Sequence, residues 1–221
     1  MTSSVATRSF HSDRNRGNGE KVIVFTRYPE AGQVKTRLIS VMGAAGAADL
    51  QREMTRHVIQ QAEIATKERG AVLEIFFSGG TAANMEEMFG KNYSFRVQLG
   101  SDLGERLEHA LAESFREGFQ KVVVVGADCP SLTPAILAAA LESLADHDLV
   151  LGPAVDGGYY LIGMTCYEQR LFQDIHWGTA EVCQQTLYKA QTLNMTIFQL
   201  DELKDVDRPE DLLHFNCFAG S

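Results

Sequence analysis

Lys121-Val122-Val123-Val124-Val125-Gly126-Ala127-Asp128-Cys129-Pro130 is the stretch on which the fold turns. Four consecutive valines show no period of two, so both faces of the strand must be covered, as in the middle of a helix-flanked parallel sheet. Pro130, just after Asp128, opens a loop and leaves one carboxylate beyond the strand's carboxyl end. In open sheets of this kind ligands bind at that edge.

The same alternation continues outward in both directions. Upstream, Val22-Ile23-Val24-Phe25 and Val72-Leu73-Glu74-Ile75-Phe76-Phe77 read as buried strands, with a weaker one over residues 95–99. Between them, helical spacing of Leu50, Met54, Val58, Ala62 and Ala65 predicts a long helix over residues 44–69. Further helices are expected over 82–89 and 103–117. Downstream, Thr133-Pro134 opens a helix as an N-cap with proline at the first helical position. Strands then fall at 149–151, 159–162 and 195–200, with a helix over 179–190 and a short one from Arg208. Strands alternating with helices define a three-layer α/β/α domain with a mixed, mostly parallel sheet. We expect one such domain over residues 21–221, preceded by a tail, residues 1–20, that is polar and aperiodic.

Composition narrows the class of partner. Of 221 residues 45% are hydrophobic, and 20 basic side chains against 29 acidic ones give a net charge of −9. A basic excess marks general nucleic-acid binders, so no nucleic-acid partner is expected. No run reaches the roughly 18 apolar residues of a membrane helix. Cys129, Cys166, Cys183 and Cys217 are scattered without a paired motif, which suits reduced thiols and a cytoplasmic protein. No nucleophile elbow or His-paired cysteine is evident.

Phosphate recognition must therefore be local, and one loop offers it. After the first strand, Thr26-Arg27-Tyr28-Pro29-Glu30-Ala31-Gly32-Gln33-Val34-Lys35-Thr36-Arg37-Leu38 concentrates three cations around one glycine. Lysine supplies a point charge, arginine a bidentate fork, and loop N–H groups can face phosphate oxygens. The spacing is neither a Walker A loop nor G-x-G-x-x-G, and a solvated basic loop is the plain alternative. Asp128 is placed to hold Mg²⁺ or Mn²⁺ through oxygen, or to cap the turn before Pro130. Asp207, in Asp205-Val206-Asp207-Arg208-Pro209-Glu210-Asp211, reads equally as an N-cap or as a second metal carboxylate. Gly100-Ser101-Asp102-Leu103-Gly104-Glu105-Arg106 could wrap a nucleotide or form a turn capped by Asp102. Asp156-Gly157-Gly158-Tyr159 could bring backbone close to a substrate or make a hairpin turn. For His176-Trp177-Gly178-Thr179 a lid and a packing role compete, with packing favoured.

In this order, the Thr26–Leu38, Gly100–Arg106, Gly126–Pro130, Leu151–Tyr160 and Asp205–Asp211 motifs resemble a little-characterised bacterial glycosyltransferase-like family. It is a domain of unknown function within the nucleotide-diphospho-sugar transferase superfamily, whose fold is glycosyltransferase A. The pattern is also similar to small guanylyltransferases acting on molybdopterin or 2-phospholactate. The resemblance implies a transferase that binds a nucleotide or nucleotide sugar and a small-molecule acceptor, with Mg²⁺ or Mn²⁺. It implies Lys35, Arg37 and Asp128 as catalytic. Nucleotide would contact Thr26, Arg27, Gly32, Lys35, Thr36, Arg37, Gly100, Asp102, Gly104 and Arg106. Asp128 and Asp207 would take the metal, and Asp156, Gly157, Gly158 and Tyr159 the acceptor. Nucleotidyl transfer to an acidic or phosphorylated acceptor is the expected reaction; glycosyl transfer, or nucleotide binding without turnover, are the alternatives. Gly32 alone is fewer glycines than such nucleotidyltransferases usually carry, and Gly126 stands where glycosyltransferases have the first Asp of Asp-x-Asp.

Overall fold

The computed structural model describes residues 17–214. The first 16 residues of the expected tail, and Cys217, lie outside the described residues. Seven strands form one sheet: β1 (Glu20–Arg27), β2 (Val72–Ser78), β3 (Ser94–Val97), β4 (Lys121–Gly126), β5 (Leu149–Pro153), β6 (Tyr159–Met164) and β7 (Ile197–Gln199). Their spatial order is β3-β2-β1-β4-β6-β5-β7. β6 runs antiparallel to both neighbours, and every other pair is parallel. The valine strand β4 is the fourth of seven, between β1 and β6, as its double-sided burial requires.

The pleat sorts the core into two layers. Val22, Val24, Val123, Val125 and Val150 face helices α1 (Ile39–Arg69), α2 (Ala82–Phe89) and α4 (Pro134–Ser143). Ile23, Phe25, Val122, Val124 and Leu149 face α3 (Leu103–Arg116), α5 (Val182–Thr192) and a 3-10 turn at Gln169–Phe172. Alternate strand residues point to opposite faces, so each strand needs two covers. A third cluster, Leu38, Ala47, Leu50, Met54 and Val206, joins the start of α1 to the C-terminal segment.

Several boundaries differ from the sequence reading, each for a local reason. α1 begins at Ile39, five residues before Ala44, across a break at Gly43 (φ 74°) that only glycine makes without strain. α5 begins at Val182 instead of Thr179, because Gly178 (φ 79°) turns the chain and the Thr179 hydroxyl donates to the His176 carbonyl. The last helix is a 3-10 turn, Pro209–His214, and Asp207 is not its cap. The Asp211 carboxylate accepts from the Asp207 and Arg208 N–H groups at 3.2 and 2.8 Å, leaving the Asp207 carboxylate for other work. Among the described residues no helix is long and apolar enough to cross a membrane.

Candidate functional site

A cleft of about 980 Å³ opens at the carboxyl ends of β1 and β4. It is lined by Thr26, Arg27, Lys35, Arg37, Asp102, Arg106, Asp128, Asp156, Gly158, Tyr159 and Asp207 among others. Of the residues singled out from sequence, Gly32, Thr36, Gly100, Gly104 and Gly157 do not line it. Gly32, Gly100 and Gly157 take positive φ in the loops beside it.

The basic loop is built around left-handed backbone. Gly32 has φ 84°, and Lys35 has φ 46°, unusual for a residue with a Cβ. That turn sends the Lys35 side chain inward, where it is only 4% exposed. Its ammonium donates to the Val206 carbonyl at 2.7 Å and lies 2.7 Å from Asp128 Oδ1 and 4.0 Å from Asp207 Oδ1. Arg37, largely exposed, makes a close ion pair with Asp207. Asp128 therefore caps no turn; its carboxylate, half exposed, faces a buried cation across the cleft.

The second carboxylate arrives by a chain of backbone bonds. Beyond β7, Leu200 N–H donates to Leu151 O at 2.9 Å and Leu203 N–H to Pro153 O at 3.0 Å, while Val155 N–H donates to Leu203 O at 3.1 Å, along the extension of β5. Tyr160 Oη donates to Asp201 O at 3.1 Å, and Val206 N–H to Asp128 O at 2.9 Å. Val206 buries its side chain in the third cluster while Asp205 and Asp207 on either side line the cleft. Asp205 was not singled out from sequence. Burial first, then the negative charges of Asp156 and Asp128, hold its carboxyl above the usual aspartate range. Its spacing of two from Asp207, across a buried valine, was the available signal.

The remaining motifs also make architectural contacts. Asp102 caps α3, accepting from Glu105 N–H at 2.9 Å. Arg106 Nε donates to Gly100 O at 3.1 Å, and no carboxylate pairs with Arg106, Arg27 or Arg208 among the described residues. A Cβ at Gly104 would stand 2.2 Å from Trp177 Nε1, and one at Gly157 2.1 Å from Ala180 O. Trp177 also meets Tyr159 edge-on, at 6.5 Å between ring centroids, so it packs α3 against the β5–β6 hairpin. The Tyr159 hydroxyl is buried behind that contact, and burial pushes its pKa up. Asp156 Oδ1 accepts from Gly158 N–H at 2.8 Å, which sets the hairpin turn.

An all-oxygen set of Asp128, Asp207 and the Val206 carbonyl suits a hard divalent cation, which needs only one or two protein carboxylates. Burial, then the charges of Asp156 and Asp128, outweigh Lys35 at the Asp205 carboxyl, a balance that a cation bound there would shift. Among the described residues no group of three or more His, Cys, Asp or Glu side chains is placed to hold a metal ion by itself. Any ion held by Asp128 and Asp207 would need further oxygens from a ligand or from water.

Sheet order and the strand-end cleft define the nucleotide-diphospho-sugar transferase fold. The chain belongs to the DUF2064 family, described as an uncharacterised protein conserved in bacteria, which it matches over residues 40–179. It is similar to a candidate nucleotide-diphospho-sugar transferase from Desulfovibrio desulfuricans G20, with 34% identity, TM-score 0.80, and 91% of this chain and 89% of that one covered. A nucleotidyl transferase from Methanothermobacter thermautotrophicus shares the fold at 13% identity (TM-score 0.59, 90% and 96% covered). So does glucosyl-3-phosphoglycerate synthase from Mycobacterium tuberculosis, solved with Mn²⁺, UDP and glucosyl-3-phosphoglycerate (13% identity, TM-score 0.57, 88% and 74% covered). No curated protein matches the chain.

Proposed function

We propose that this protein is a transferase that moves a nucleotidyl group, in a metal-dependent reaction, from a nucleoside triphosphate to a small acidic or phosphorylated acceptor. The observation that carries the reading is the Lys35–Asp128 and Arg37–Asp207 pairing inside one strand-end cleft. A polyphosphate with a divalent cation is the ligand whose charges match both members of each pair. Arg27 and Arg106, which pair with no carboxylate among the described residues, add bidentate donors to the same cleft lining. Gly126 in place of an Asp-x-Asp carboxylate favours this reaction over glycosyl transfer.

In the displacement, an acceptor oxygen bonds to the α-phosphorus as the bond from that phosphorus to the pyrophosphate oxygen breaks. Such chemistry needs positioning and charge neutralisation more than a covalent group on the protein. Lys35 and Arg37 would neutralise the departing pyrophosphate. Asp128 and Asp207 would hold Mg²⁺ or Mn²⁺, which when bound supplies Lewis-acid stabilisation of phosphate oxygens. The acceptor would approach from the side of Asp156 and Gly158; Arg208 also lines the cleft and suits an acid.

The test uses the purified protein with Mg²⁺, nucleoside triphosphates and nucleoside-diphosphate sugars in separate reactions, and a pooled acceptor library read by mass spectrometry. Acceptor-dependent pyrophosphate release, lost in Asp128→Ala, is expected. Free nucleoside diphosphate formed only from the sugar nucleotides would overturn the choice in favour of glycosyl transfer. Nucleotide binding without any turnover would leave a binding module.

A further inference from the structure

The ammonium of Lys35 occupies the oxygen cradle itself. It sits between Asp128 Oδ1 and the Val206 carbonyl, each at 2.7 Å, with Asp207 Oδ1 at 4.0 Å. These oxygens are the donor set assigned above to a divalent cation. We propose that Lys35 is an exchangeable resident cation: metal enters the cradle by displacing it, and the displaced ammonium moves to the phosphates. The proposal rests on reading the cleft as a metal–polyphosphate site, and adds to it a coupling between the two ligands.

Electrostatics dictates the direction of that coupling. Metal alone must drive a buried ammonium from its carboxylate and its carbonyl, and leave it without an anion. Polyphosphate alone must draw Lys35 from Asp128 and leave that carboxylate facing the incoming anion. Together the ligands satisfy both halves, since metal takes the carboxylates and phosphate takes the cations. Unpaired charges in a half-buried cleft are costly, so each ligand strengthens the other and by the same factor. Arg37 and Asp207 form a second pair of the same kind, more exposed and therefore weaker in its hold.

The counterintuitive consequence lies in the lysine. Removing a residue that serves the phosphates should improve the binding of metal on its own. Lys35→Met empties the cradle of its ammonium, and Asp128, being half exposed, stays hydrated without it.

The experiment measures Mn²⁺ binding by paramagnetic resonance, with and without inorganic pyrophosphate, on the full chain, Lys35→Met and Asp128→Asn. Pyrophosphate is chosen because it carries no base and represents the leaving group of the proposed reaction. Expected are Mn²⁺ binding about tenfold tighter in Lys35→Met than in the native chain, and native binding tightened about tenfold by pyrophosphate, with a clearly smaller gain in Lys35→Met. Calorimetry of metal-free pyrophosphate should show tighter binding to Asp128→Asn than to the native chain, an arm that decides alone if Lys35→Met does not fold. Lys35→Met binding Mn²⁺ no better, or gaining as much from pyrophosphate as the native chain, overturns the exchange and leaves the site reading standing; Mn²⁺ and pyrophosphate binding the native chain independently overturns both. A native chain that binds neither, even together, overturns both.

Discussion

Glu20, the first residue of β1, is buried, and its two oxygens receive Arg69 Nε and Nη2 at 2.9 Å each, with Lys121 at 3.5 Å. Burial alone would raise its pKa; the Arg69 hydrogen bonds and charge outweigh it and hold the carboxyl below the usual glutamate range. A carboxylate with a lowered folded-state pKa stabilises the fold above its unfolded value, and that contribution is lost as pH falls through the folded value. Glu20→Gln should therefore cost about 2 kcal/mol at neutral pH, between exposed-pair and buried-pair magnitudes. Below pH 4.5 the variant and the native chain should converge; a constant difference in urea midpoint across the acid range would refute the assignment. Beside it, Lys21 is 1% exposed, 2.7 Å from both Glu74 and Glu117, and 4.2 Å above the Phe119 ring. Neither pair was readable from sequence. A charge at a strand's first residues looks solvated, and its partner is supplied by another strand or helix.

At the scale of elements, the strands and most helices were legible because burial imposes a period on the chain. The Thr133-Pro134 cap is one such signal, and Thr133 Oγ1 accepts from Ile136 N–H as the pattern predicts. What escaped was competition between local bonds, as where the Asp211 carboxylate takes the Asp207 and Arg208 N–H groups and the Asp207 carboxylate turns to Arg37. Around Trp177, three glycines offer a graded test of how elements are joined. Gly178 has φ 79° with open space, so Gly178→Ala carries backbone strain alone, about 1 kcal/mol. Gly104→Ala meets the indole ring at 2.2 Å, which can shift at a cost of about 2 kcal/mol. Gly157→Ala combines φ 89° with a carbonyl oxygen at 2.1 Å, and backbone cannot yield cheaply, so its loss should be the largest. Denaturant midpoints should fall in that order. Trp177 is the only tryptophan, so its emission should shift in Gly104→Ala; an unmoved spectrum would contradict the contact.

Across the whole molecule, the site is assembled from segments at opposite ends of the chain by a sheet whose order is not the sequence order. Lys35, Arg37 and Asp128 could be nominated because strand ends point to the ligand edge. Which cation meets which carboxylate could not, since that depends on the path from β7 back to β4. The bond from Lys35 to the Val206 carbonyl spans 171 residues. At ribosomal rates of roughly 5–20 residues per second, Lys35 precedes that carbonyl by on the order of ten seconds. The parallel half, β1 to β4, is already synthesised during that interval, with its buried cation still lacking the carbonyl. In refolding with pulsed hydrogen exchange, amides of β1 and β4 should gain protection before the Val206 amide; simultaneous protection would count against this order. Long-range closure is slow because loop entropy is lost before contacts compensate it. Assembly of the cleft thus waits for the segment that carries Val206 and Asp207, and a polypeptide cut short before it would lack Lys35's carbonyl partner and Arg37's carboxylate partner however well its amino-terminal half had folded.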